Sequence, residues 1–379
     1  MSLILDEHRQ YLADAPRLAA FEAALKELVR PDHVVLDLAS GSSILGMLAA
    51  RAGARQVYSV EYSGMTQVAR ELCQANGLAD RVNCIQGLST EIELPQPADL
   101  LVADQIGRFG FEVGIIADFA DARRRLLKPG AIIVPSAVEL WVAPVQADEM
   151  WRQLEFWRTP VAGFDFSSAR PIALNTGYPT NYTPDQLLAE PVRLGTLDLT
   201  TDMPAALRLG AGMRVNRAAT MHGIGGWFVA RLSPGVRLTN SPLAADRINR
   251  RNVFFPIGQP LSLVPEDRIE LAMHIVADDL RVTWNVTVTD AAGGAKGRFR
   301  HSTWRGMLLS REDLAKSRPD YVPRLTPRGR ARRSVLELCE EGRTLAEIES
   351  EFYRRHRELF TSPAQAAHFV AEVIIPYAR

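Results

Sequence analysis

Cysteine is scarce: Cys73, Cys84 and Cys339 are the only three in 379 residues. Their number is odd and their spacing fits no metal-ligand pattern. This excludes a disulfide framework or a thiolate metal centre and fits a reducing cytoplasm; none reads as a nucleophile. Net charge is also lacking, because 44 basic and 44 acidic residues cancel. That balance argues against bulk electrostatic capture of nucleic acid, while leaving room for a local patch. No apolar run is long enough to cross a bilayer, and the first residues lack the basic region and apolar run of a signal peptide. What is present is apolar content of 47%, ample for real cores, and length for two domains and a small third.

Residues 34–61 are the most informative stretch. They read as a buried strand, a short Gly/Ser turn, a small-residue helix and a second strand ending on an acid. That order is the first half of a nucleotide-binding βαβ unit. Glu61 sits where a carboxylate can accept both ribose hydroxyls, and Asp37 can organise the turn or meet a ligand's amino group. The turn itself, residues 39–43, keeps only Gly41 of a glycine-rich loop; Ala39 and the serines are small enough to admit a ligand but have less backbone freedom. An ordinary parallel-sheet crossover would read the same way.

Further strands are expected at 81–87, 98–104 and 131–135, with helices between them and the last helix stopped by residues 127–130, LeuLysProGly. Strands apolar throughout suit a parallel sheet covered on both faces. Ligands of such sheets lie beyond the carboxyl ends of the strands, where Asp37, Glu61, the 88–91 loop and Asp104 all fall.

These residues, together with 7–18, 87–95 and 126–136, resemble the class I S-adenosylmethionine-dependent methyltransferases, and among them the protein arginine methyltransferases, over roughly residues 7–310. The resemblance implies S-adenosylmethionine as cofactor. Arg17 would hold its methionine carboxylate, Glu61 the ribose, and Ser89 and Thr90 the adenine, with Asp37, Ala39 and Gly41 shaping the turn. It also implies two acids that grip a guanidinium and orient one nitrogen toward the methyl group, so that positioning and electrostatics supply most of the catalysis. Asp104 and Glu112 stand in those places, although the first is one methylene shorter than glutamate and their separation is one residue shorter. Arg108 lies between them and could neutralise one. A strand-end aspartate and a helix-terminal glutamate would look alike.

The family's Thr-His-Trp motif is absent; residues 247–255 stand in its place and carry Arg247, Arg250 and Arg251, which could face an acidic acceptor but read best as a solvated turn. His222 is another candidate base, more simply a structural histidine. No metal site is expected.

Beyond Pro135 the pattern alternates with period two, as at 138–145, 227–232 and 280–288, which indicates an antiparallel β domain walling the acceptor site. The organisation is then an N-terminal helical segment (1–30), a Rossmann-like doubly wound parallel sheet (31–136), and a β-barrel-like domain (137–315) with a possible dimerisation arm at 149–191. A linker at 318–324 leads to a small helical, winged-helix-like module at 320–379, where Thr344 with Glu347 and Ser362 with Gln365 mark helix starts. That module resembles the PqqD-like domains that hold precursor peptides by strand addition. DNA reading and a plain packing role remain alternatives. Three functions fit: N-methylation of a cationic, guanidinium-type group on a peptide or protein; methylation of a small molecule or carboxylate; or a non-catalytic peptide- or DNA-binding regulator. The first is preferred, in a cytoplasmic enzyme that forms a homodimer and touches no membrane.

Overall fold

Pro16 and Asp14 divide the N-terminal helical segment in two. Proline cannot donate within a helix interior, and the Asp14 carboxylate caps the new start by accepting from Arg17 N at 3.3 Å. The 7–18 stretch is therefore not one helix but the end of α1 (Ile4–Leu12) and the beginning of α2 (Ala15–Leu28). The computed structural model describes residues 4–277, 279–308, 315–316 and 320–377. They belong to two compact units, Met1–Met307 and Leu308–Arg379.

In the first unit the apolar runs form β1 (Val34–Leu38), β2 (Gln56–Glu61), β3 (Val82–Gln86), β4 (Ala98–Val102) and β5 (Leu127–Val134). Helices α3 (Ile44–Arg51), α4 (Met65–Ala75) and α5 (Ile115–Arg125) connect them. All pairings are parallel, in the order β3-β2-β1-β4-β5. The order reverses at β1, so a crevice opens between the carboxyl ends of β1 and β4. One expectation changes in detail. LeuLysProGly does not end the preceding helix: α5 stops at Arg125, and 128–131 bulge from β5 between the Leu127↔Ala98 and Ile132↔Leu100 pairs.

The chain then turns antiparallel, with β6 (Ala137–Val145), β7 (Tyr178–Thr180), β8 (Val192–Asp198), β9 (Ala206–Arg214), β10 (Ala219–Arg231), β11 (Arg237–Thr239), β12 (Asn252–Leu263), β13 (Arg268–Val276), β14 (Arg281–Thr289) and β15 (Ala295–Ser302). One sheet runs β7-β12-β10-β6-β8 with β11 on β10; the other runs β15-β14-β13-β9. Period-two patterning places Leu271, Met273, Trp284 and Val286 in the space between them, and Trp284 Nε1 donates to Pro256 O at 2.8 Å to link the sheets. Between β6 and β7 the chain makes α6 (Asp148–Glu155) and α7 (Arg170–Ala173), whose core includes Trp151, Leu154 and Tyr182.

The second unit contains α8 (Pro327–Glu340), α9 (Leu345–Arg355) and α10 (Pro363–Tyr377) around Leu338, Phe352 and Phe369. The Thr344–Glu347 capping box is formed. Among the described residues this unit has no strand, so it offers no edge there for peptide addition. Part of the 318–324 linker lies outside the described residues.

Candidate active site

Asp37, next to last in β1, has its carboxylate wholly buried. Oδ2 accepts from Gly46 N at 2.8 Å and Ser59 Oγ at 3.1 Å, tying the first turn of α3 to the sheet. A side chain at Gly46 would strike Ser59 Oγ, so glycine is required for that approach. Oδ1 is buried and, among the described residues, has no hydrogen-bond partner. Burial pushes the Asp37 carboxyl up to about 7, against the two hydrogen bonds. The turn that follows is left-handed at Ala39, Gly41 and Ser43, with φ of 52°, 54° and 60°. For alanine and serine that conformation costs about 1 kcal/mol each. Glu61 at the end of β2 holds it, Oε2 taking Gly41 N at 3.0 Å, while Oε1 takes Ser63 N in the loop after β2 at 2.9 Å. Each oxygen keeps a lone pair for another donor. The His8 ring of α1 lies so close to Gly41 that a Cβ there would fall 2.3 Å from it. Ser89 and Thr90 follow β3, half-buried and exposed; Arg125 fixes that loop through Ser89 O at 2.7 Å.

Asp104, just after β4, is the electrostatic centre. Arg17 Nε reaches Oδ2 at 2.5 Å, while Arg250 Nη1 and Nη2 reach Oδ1 and Oδ2 at 3.0 and 2.8 Å. Burial alone would raise this carboxyl, but Arg250 and then Arg17 hold it below the usual carboxylate range. The Arg250 guanidinium lies 5.9 Å from the ring centroids of both Tyr11 and Phe228. One carboxylate between two guanidiniums leaves the cluster net positive. A third guanidinium at about 5 Å would meet roughly 3 kcal/mol of repulsion from each uncompensated charge at an effective dielectric of about 20. Arg17 also gives Nη1 to Tyr11 O at 3.3 Å; among the described residues its Nη2 makes no hydrogen bond.

Glu112 sits differently from the expectation. Its carboxylate accepts the backbone N–H groups of Arg108, Phe109, Gly110 and Phe111 at 2.9–3.2 Å, so it folds its own loop instead of facing an open acceptor site. Among the described residues Asp104 and Glu112 share no hydrogen-bond partner. Arg108 is exposed and, among the described residues, its guanidinium pairs with neither acid. Nor is the 247–251 segment a solvated turn throughout: Arg247 and Arg251 are exposed, but the Arg250 side chain is only 12% accessible. His222 is structural, as its setting suggested. Nδ1 accepts from Ala147 N at 3.0 Å and the ring stacks on Trp151. The Cys73 and Cys84 thiols are free and buried, and burial pushes Cys84 up to about 12, so neither is poised as a nucleophile. Among the described residues no cluster of histidine, cysteine and acid could hold a metal.

Two residues of the site were missed at the sequence level. Asp14 Oδ2 accepts from Asn249 N at 2.8 Å, and buried Asn240 donates from Nδ2 to Arg108 O and Arg251 O at 2.9 and 3.1 Å. Asp14 ties the arginine segment to the start of α2, and Asn240 ties it to the acid loop. Local pattern carries no signal for either.

Comparison with known proteins bears on this arrangement. Residues 136–284 match the family model "Arginine methyltransferase oligomerization subdomain", and residues 21–139 match "Ribosomal protein L11 methyltransferase (PrmA)". Protein arginine N-methyltransferase 6 of Xenopus laevis is 30% identical over 250 residues, which cover 62% of this chain and 73% of that protein. The chain belongs to the protein arginine N-methyltransferase family. Protein arginine N-methyltransferase 2 of Dictyostelium discoideum is 32% identical over 234 residues, 58% of this chain. The chain spans 46% of that relative's length. Two solved structures share the family fold. Arabidopsis thaliana protein arginine methyltransferase 10, in an open conformation, is 23% identical with a TM-score of 0.70, covering 79% of this chain and 97% of that one. The Trypanosoma brucei PRMT1 enzyme-prozyme heterotetrameric complex with AdoHcy is 22% identical with a TM-score of 0.71, covering 78% and 97%. Neither matched family span reaches the three-helix C-terminal unit.

Proposed function

We propose that the chain is an S-adenosylmethionine-dependent methyltransferase that methylates a nitrogen of a guanidinium-type group on a protein or peptide. The observation that carries this reading is the seat at Asp104: a buried carboxylate that already holds a guanidinium by two nitrogens, with the Tyr11 and Phe228 rings near that guanidinium. Residues at the strand ends fit the cofactor. The buried Asp37 Oδ1 lacks a donor, which an ammonium would supply. Arg17 Nη2 is available for a carboxylate, and the remaining lone pairs of Glu61 suit a ribose diol. The bound cofactor supplies an electrophilic methyl group.

The chain's own part is to bind and orient. A carboxylate on Arg17 would cancel that charge and leave Asp104 to face a single guanidinium. Asp104, kept ionised by its partners, holds the cation in plane and turns one nitrogen outward. Glu112 acts as a positioning residue: it fixes the 107–111 backbone, including Gly107 O, which lies 3.4 Å from Arg250 Nη1. A cytoplasmic setting suits the free thiols, and no described helix is long and apolar enough to cross a membrane. The three-helix unit would contact a protein or peptide partner, and the 149–191 arm a second copy of the chain. A second reading, an anionic acceptor, is favoured by Arg247 and Arg250 along one cleft.

Calorimetric titration with S-adenosylmethionine tests the cofactor site. Losing two ribose hydrogen bonds to a charged acceptor at about 1.5 kcal/mol each, Glu61→Ala should weaken binding by roughly 100-fold. Transfer of labelled methyl to an arginine peptide, absent in Asp104→Asn, tests the acceptor. Binding without transfer to arginine, together with transfer to a carboxylate acceptor, would replace the first reading by the second.

A further inference from the structure

Arg250 sits on Asp104 as an acceptor's guanidinium would. Its two Nη atoms reach separate carboxylate oxygens, and the guanidinium lies over the Tyr11 and Phe228 rings, 5.9 Å from each centroid. A planar fork on a carboxylate beside aromatic faces selects guanidinium over ammonium. The backbone beside it is pinned on both sides, by Asn249 N on Asp14 Oδ2 and by Asn240 Nδ2 on Arg251 O. The side chain is therefore delivered from a fixed point. A cavity of about 310 Å³ opens next to it, bordered by Asp14, Pro16, Asn181, Arg247, Asn249 and Arg250. The side chain can leave the seat for that cavity while its backbone stays in place. Asp104 would keep Arg17 as a partner.

We propose that Arg250 is a resident occupant of the guanidinium seat, which an acceptor arginine must displace. The proposal rests on the reading of Asp104 as the acceptor acid. The exchange makes and breaks no covalent bond, and the charge on the cluster is the same before and after. An ammonium cannot reproduce the two-point contact, so the competition favours acceptors that match the occupant in shape. Apparent affinity for the acceptor is reduced by the fraction of molecules in which the seat is open. Arg250 is thus a specificity-determining residue of this chain, placed where the family's Thr-His-Trp motif is missing.

Thermal denaturation of the full chain in ethylguanidinium chloride, with methylammonium chloride at equal ionic strength as the control, tests this without methyl transfer. Arg250→Ala and Arg250→Thr should each gain a saturable, guanidinium-specific rise in Tm at millimolar concentrations; the wild type should not. Adding Asp104→Asn to Arg250→Ala should abolish the rise. In methyl transfer to an arginine peptide, the single variants should lower KM about tenfold or more, with a smaller change in kcat. Folded variants without the specific rise would overturn the proposal, as would an unchanged or raised KM. Loss of folding in both variants would overturn it too, because a displaceable side chain is not one the fold requires. If no protein transfers methyl to arginine, the functional reading fails, while the guanidinium titration still decides whether the seat is there.

Discussion

Asn249 donates its backbone N–H to Asp14 Oδ2 at 2.8 Å, joining the segment before β12 to the start of α2 across 235 residues of sequence. The other oxygen of the same carboxylate caps α2 at Arg17 N. One buried side chain therefore sets where both arginines of the Asp104 cluster begin, Arg17 from one oxygen and Arg250 from the other.

Asp14→Ala should be felt at both. Loss of the cap destabilises by about 1 kcal/mol, and the orphaned Asn249 amide adds roughly 1–3 kcal/mol if it stays buried. Urea denaturation should show a lower midpoint with an unchanged m-value. Methyl transfer should fall by more than the lost folded fraction, because Arg17 is then no longer fixed on Asp104 and aimed at the cofactor carboxylate. Activity that merely tracks folded protein would show that Asp14 supports the fold without aligning the site.

How much of this was legible in the sequence follows from the range of each interaction. The parallel sheet could be read because β1, β2 and β4 each carry consecutive apolar residues rather than a strict alternation, and such strands must be covered on both faces. Asp37, Glu61 and Asp104 could be placed because strand ends in that topology converge on one crevice. Glu112 misled because its type and position suit a ligand acid, whereas its partners are backbone amides whose direction depends on left-handed turns at Gly107 and Gly110. Arg250 misled more deeply. Among Arg247 and Arg251 it looks like part of a solvated turn, and its counterion lies 146 residues away. No periodicity encodes such a contact. It exists because β10 and β12 pair and bring their loops over the end of β4.

The buried Asp37 carboxyl makes stability depend on pH. Its folded value, about 7, lies above the unfolded value near 3.8, so between those limits the native state binds more protons than the unfolded chain. Stability from this group therefore falls as pH rises from about 4 to 7. His301 opposes it: burial lowers that imidazole to about 4, so its contribution grows as pH rises from about 4 to 6.5. The wild-type profile mixes the two, and the difference between wild type and Asp37→Asn isolates the first. Urea midpoints measured at half-unit intervals should show the wild type losing stability relative to the variant up to about pH 7 and running parallel above it. A constant difference across the range would mean that Asp37 is ionised throughout in the folded protein.

Glu112→Gln separates organising a loop from gripping a cation. The amide keeps one acceptor oxygen where the carboxylate had two, and its NH₂ would confront backbone donors. Hydrogen exchange at the amides of Arg108, Phe109, Gly110 and Phe111 should accelerate by roughly ten- to a hundredfold, matching about 1–3 kcal/mol of lost local stability. Cofactor affinity should be unchanged. If those amides exchange at the wild-type rate while KM for the acceptor rises, Glu112 touches substrate after all, and the paired-acid arrangement is restored.

The arm between β6 and β7 carries large apolar side chains that its own core leaves uncovered. Trp151 and Leu154 are buried, yet Phe164 is 70% exposed and Phe156 51%, with Phe166 beside them in sequence at 41%. Exposed aromatic side chains concentrated on one segment mark a contact surface more often than a solvated one. The arm falls within residues 136–284, the span matched by the oligomerisation subdomain. A second copy of the chain is therefore the occupant to test. Sedimentation velocity across a hundredfold concentration range should show a dimer in the wild type. Phe164→Ser with Phe156→Ser should weaken association at least tenfold, because each exposed phenylalanine buried on docking contributes about 1–2 kcal/mol. Both substitutions lie on solvent-facing side chains, so Tm of the dissociated protein should change little. A wild type that remains monomeric throughout would leave the arm to a different partner, and the three-helix unit would be the next surface to remove in searching for it.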